Sequence, residues 1–196
     1  MLSAYYRFFR CLLIGLGCWI PFAAVWAGDG TSQTDLVEKN IHSIHVVSDE
    51  NFPPYLFRNA DGKVEGYLVE LWALWEKKTG IKVQLTATQW AEAQQMLQAG
   101  KADVIDMIYR TSPREKIYDF SAPYADLPVM IYHQASIGGI SDVSTLKGFQ
   151  IGVQSGDACI DQLREHGIST IVQYTNYEAL INAAQRQEVK VFCLDL

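Results

Sequence analysis

Apolar residues Leu68, Leu71, Trp72 and Trp75 recur three or four positions apart, which predicts an amphipathic helix over 67–79. Gly80 follows as its stop. A second helix is predicted over 90–99, closed by Gly100. Three short apolar or alternating runs frame these helices: Ile44–Ser48, Ile81–Ala87 and Ala102–Ile108. Each reads as a strand. The order strand, helix, strand, helix, strand is that of a largely parallel sheet with helices on its faces. Between the first strand and first helix, Pro53 and Pro54 forbid helix and central strand, and Asn59-Ala60-Asp61-Gly62 is a turn.

The Tyr118–Ser121 run is β-like, and Val129–His133 is a further strand. After Gly138-Gly139 the pattern starts again. Strands are predicted over 149–154, 170–174 and 189–194, with helices over 157–165 and 177–187 between them. The chain is therefore two α/β units in tandem, without a residue-level repeat. It stops directly after a strand, where a doubly wound unit continues into a helix, so the second unit is expected to be incomplete.

The first 27 residues change this picture. Arg7 and Arg10 precede an apolar run from Cys11 to Ala27 that ends in small residues. That is the pattern of a secretory signal, with an uncleaved membrane anchor as the competing reading. A polar linker follows over 28–43. The expected organisation is then a first lobe over 44–127, a hinge or crossover over 128–140 and a second lobe over 141–196.

The 196 residues carry a net charge of −6, and loss of the leader removes two arginines but no acid. No basic patch stands out, which argues against a nucleic-acid partner. Of four cysteines, Cys11 and Cys18 lie in the leader. Cys159 falls in the first turn after one strand and Cys193 near the end of a strand expected beside it. In an exported chain that spacing permits one disulfide. Two buried free thiols are the alternative. His42 and His45 lack a third ligand nearby, so no metal is expected. No nucleophile elbow, phosphate loop or zinc-protease motif is present, and no cofactor is expected.

Candidate chemistry follows from one rule: open α/β sheets bind ligands outside the carboxyl ends of their strands. The rule gathers Asp49 to Phe52, Asp106 to Arg114, Gln154 to Ala158, and Asp195. The ligand-contact candidates are Asp49, Phe52, Tyr55, Tyr109, Thr111, Arg114, Gln154, Asp157 and Asp195. Arg114 follows a Ser-Pro turn and offers a planar fork suited to a carboxylate. Its alternative is a turn residue paired with Asp119. Asp49 can also serve as a turn initiator.

Several short motifs occur in order. They are Asp49 with Phe52-Pro53-Pro54-Tyr55, Asp61-Gly62, Gly66-Tyr67, Gly100-Lys101-Ala102-Asp103 and the Thr111–Arg114 turn. Asp119-Phe120-Ser121 with Pro123-Tyr124, Leu146-Lys147-Gly148, Gly152-Val153-Gln154 with Gly156, and Asp195 complete the set. In this order the chain resembles the bacterial extracellular solute-binding proteins of family 3, from about residue 44 to residue 195. The resemblance implies a two-lobed periplasmic-binding-protein-like α/β fold closing on a small polar, amino-acid-like solute. It implies Arg114 on a ligand carboxylate, Asp49 and Asp195 on an ammonium, and Phe52 packed on the ligand. Two departures stand out. Met107, Tyr109 and Arg110 occupy a stretch where small residues are usual. Gly156-Asp157-Ala158 replaces a usual Gly-Thr-Thr, setting Asp157 as a helix N-cap where an anion would otherwise dock.

The expected function is extracytoplasmic solute capture for ABC-type uptake, with a membrane permease as partner and the periplasm as location. The alternatives are a periplasmic sensor domain feeding a membrane-linked signalling output, and an enzyme on the same fold. No acid–base pair favours the enzyme.

Overall fold

The computed structural model describes residues 41–195. The expected signal over 1–27 and most of the expected linker lie outside the described residues.

The first lobe is built on strand β1 (Ser43–Asp49). It pairs in parallel with β5 (Lys82–Thr88) on one side and β6 (Val104–Ile105) on the other. Helices α1 (Tyr67–Thr79) and α2 (Trp90–Gln98) provide the crossovers. Val46 and Val47 have no exposure, as expected of a central parallel strand covered on both faces. Val47 packs with Trp90, Ala93 and Ala102, while Leu56, Leu68 and Ala87 form a second cluster.

Between β1 and α1 the chain makes a small antiparallel sheet that the sequence pattern did not predict. Its strands are β2 (Asn51–Phe52), β3 (Leu56–Arg58) and β4 (Val64–Glu65). The Asn59–Gly62 turn joins β3 to β4, with Gly62 donating its N–H to the Asn59 carbonyl. Gly66 then starts α1 at φ 125°. A Cβ there would meet the Tyr55 carbonyl oxygen at 2.4 Å, and this same carbonyl accepts from the Leu68 amide. Only glycine fits this approach.

The second lobe holds a four-stranded sheet in the order β7-β10-β8-β9. Its strands are β7 (Val129–His133), β8 (Ile151–Gln154), β9 (Ile171–Tyr174) and β10 (Val191–Asp195). Helix α3 (Ala158–Glu165) follows β8, and α4 (Tyr177–Gln185) follows β9. All four residues of β8 are buried. Its main core joins Leu146, Ile151, Val153, Leu163, Val191 and the two cysteines. Cys159 and Cys193 are joined in a disulfide with their Cα atoms 6.6 Å apart.

Two expectations are corrected. The strand predicted over 102–108 shrinks to Val104–Ile105, because the chain turns at Asp106 and Met107, the latter at φ 56°. The Tyr118–Ser121 run is not a strand; residues 118–128 carry no helix or strand, and Arg114 opens a short 3-10 turn instead. Val129–His133 is a strand as expected, and it forms the antiparallel edge of the second sheet.

Candidate functional site

The carboxyl ends of the strands in both lobes meet at a narrow cavity. Its walls include Asp49, Phe52, Tyr109, Arg114, Gln154, Asp157 and Asp195 from the candidate set. Tyr55 and Thr111 do not line it. Tyr55 packs behind Phe52, ring centroids 5.0 Å apart. Thr111 donates its hydroxyl to Asp161 on α3 at 2.8 Å. Asp106 also turns away from the cavity, its carboxylate taken up by the Trp72 indole at 2.6 Å and the Tyr124 hydroxyl.

Ser48, Trp90, Met107, Ala158 and Tyr177 complete the wall. Trp90 opens α2 just after β5, and Tyr177 opens α4 just after β9. The strand-end rule finds both once it is applied to these two strands as well.

Arg114 is 5 % exposed. Its two terminal nitrogens donate to main-chain carbonyls, one to Tyr109 at 3.0 Å and the other to Gly156 at 2.7 Å. The alternative reading, a pairing with Asp119, is not among its contacts. Burial lowers its pKa, and the opposing influence of Asp161 and Asp157 supports the charge. The Gly156 carbonyl also accepts from the Trp90 indole and the Gln94 amide, each at 3.0 Å. Three first-lobe donors thus converge on one second-lobe oxygen.

The three wall carboxylates differ in how well they are partnered. Asp49 accepts from the Asn51 amide at 3.0 Å and from the Gln154 side chain at 2.6 Å. Burial still holds its pKa above the usual value, against the lowering effect of those donors. Asp157 caps α3 through the Cys159 amide at 2.8 Å and accepts from the Tyr177 hydroxyl at 2.8 Å. It too is raised, chiefly by burial. Asp195 is pushed up to about 7, by burial first and then by the neighbouring Asp157 charge. Its Oδ1 is buried and has no hydrogen-bond partner among the described residues. A buried carboxylate oxygen left without a donor is costly.

Two α/β lobes with a polar cavity between their strand ends form a cleft of the kind in which open α/β sheets bind small ligands. Residues 44–187 match the Bacterial extracellular solute-binding proteins, family 3, and the chain belongs to that family. It is 31 % identical over 117 residues to the L-cystine-binding protein TcyJ of Escherichia coli (strain K12), covering 59 % of this chain and 44 % of that protein. It is 33 % identical over 115 residues to a probable amino-acid ABC transporter-binding protein of Haemophilus influenzae, covering 58 % and 44 %. This chain therefore spans less than half the length of those curated relatives. Among solved structures, an ancestral arginine-binding protein bound to arginine superposes with TM-score 0.68 at 26 % identity, over 79 % of this chain and 70 % of that one. Among the described residues, no helix is long and apolar enough to cross a membrane.

Proposed function

We propose that this protein captures a small polar, amino-acid-like solute between its two lobes and delivers it to a membrane permease for ABC-type uptake, on the extracytoplasmic side. The observation that carries the proposal is the cavity itself. It combines a buried guanidinium, three carboxylates and the aromatic side chains of Phe52, Trp90, Tyr109 and Tyr177 at the junction of the lobes. Charged groups fix the polar ends of a small ligand and rings fill the space between them. The named relatives are binding proteins for amino acids, which supports capture over turnover.

The test is a thermal melt of the full chain across amino acids, diamines, polyamines and small carboxylates. A ligand that binds the native state must raise Tm by linkage. The expected result is a concentration-dependent rise with an amine-bearing member of the panel. No shift with any member rejects capture of this solute class.

A further inference from the structure

The electrostatic makeup of the cavity narrows the ligand further, an inference that rests on solute capture at this site. We infer that the ligand is an organic cation of amino-acid size, an amine or guanidinium whose carboxylate is absent or blocked.

Three observations lead there. First, the amide-rich N-terminus of α3, where an incoming anion would dock, is already filled by the chain's own Asp157 carboxylate through the Cys159 amide. Second, the cavity has one fixed cation among its lining residues, and each terminal nitrogen of Arg114 gives one N–H to a main-chain carbonyl, of Tyr109 and of Gly156, so part of its fork is engaged within the protein. Three carboxylates, Asp49, Asp157 and Asp195, share the wall with it, and Asp161 lies close enough to Arg114 to influence it. A zwitterion adds no net charge to this imbalance, and its carboxylate would be desolvated among like charges. Third, Asp195 Oδ1 is buried and unpartnered among the described residues. A ligand N–H supplies the missing donor and the missing charge together.

The cation is an organic one. Among the described residues, no group of three or more His, Cys, Asp or Glu side chains is gathered so as to hold a metal ion. Tyr109 and Tyr177 stand in the same wall, and aromatic rings attract an ammonium or guanidinium; the Trp90 ring already has the Arg114 guanidinium 6.0 Å from its centroid.

The experiment is calorimetry on the full chain at pH 8 with matched series. One series is lysine, lysinamide and 1,5-diaminopentane; the other is arginine, argininamide and agmatine. The expected result is that the amide and the decarboxylated amine of at least one series bind tenfold or more tighter than the free acid. Asp157→Asn should narrow that ratio, and Asp195→Asn gives the same reading if the first variant fails to fold. Free acids binding as tightly as their amides overturn the charge assignment and leave solute capture standing. Silence from both series, with neutral or acidic solutes binding instead, also overturns the assignment alone. Silence from every solute overturns capture with it.

Discussion

Gln154 donates its side-chain amide to Asp49 at 2.6 Å, and this bond ties the end of β8 in one lobe to the end of β1 in the other. Gln154 is 1 % exposed and Asp49 6 %, so neither has water as a ready substitute partner. Removing a donor from a buried carboxylate costs more than the bond's net worth, because the acceptor stays desolvated. Gln154→Ala should therefore destabilise the protein by about 1–3 kcal/mol in urea denaturation. Asp49 already has a raised pKa, so the loss should be larger at pH 8 than at pH 5, since more of the carboxylate is ionised at the higher pH. Equal losses at both pH values would show that Asp49 does not need the donor.

Asp195 gives a second pH signature. Its pKa rises on folding from 3.8 to about 7. Between those values the native state holds a proton that the unfolded chain has released. Stability from this group is thus highest below the unfolded pKa and falls as pH rises towards 7. The groups acting on it are Asp157 and Asp49, which raise the pKa, and Tyr177 and Arg114, which lower it. Asp195→Asn should flatten the dependence of Tm on pH across roughly pH 4–7 and raise Tm at pH 8. An unchanged slope would remove Asp195 as its source.

Arg114 is the cation facing Asp157, Asp161 and Asp195. Arg114→Ala should lower stability by about 1.5–3 kcal/mol for each charge-assisted bond lost, with the larger effect at pH 8. Arg114→Lys keeps the charge but lacks the fork that spans the Tyr109 and Gly156 carbonyls, so rescue should be partial. Denaturation of the three proteins in parallel checks this, and full rescue by Lys would show that charge alone matters.

The Cys159–Cys193 bridge closes a loop of sequence separation 34. In the chain-entropy account, a loop of that size contributes about 3–4 kcal/mol. Mass spectrometry of the unreduced exported protein should find the linked peptides, and reduction should lower the urea midpoint. Two freely alkylated thiols in that sample would refute the bridge.

Long periodic segments were legible in the sequence, and pairing partners were not. The Leu68, Leu71, Trp72 and Trp75 stripe places α1 over Tyr67–Thr79, as observed. Val129–His133 was legible as a strand, but its place at an edge of the second sheet was not. The Tyr118–Ser121 alternation reports which side chains are polar, yet no strand pairs with it. The apolar run at 102–108 gives no hint that Asp106 will find its donors in Trp72 and Tyr124 and end the extended backbone. At the site, the strand-end rule located Asp49, Arg114, Gln154, Asp157 and Asp195. It could not show that Arg114 would spend its nitrogens on main-chain carbonyls, since backbone oxygens leave no mark on composition or spacing.

The meeting of Trp90, Gln94 and Arg114 on the Gly156 carbonyl has an evolutionary consequence. The acceptor belongs to the main chain, so no side-chain substitution at that position deletes it. Gly156 sits at φ 80°, and a Cβ would meet the Gln94 amide nitrogen at 2.4 Å, so the position resists replacement. This clasp between the lobes thus rests on a main-chain oxygen and not on the wall carboxylates. Asp157 or Asp195 can change while the Gly156 oxygen goes on holding the two halves together.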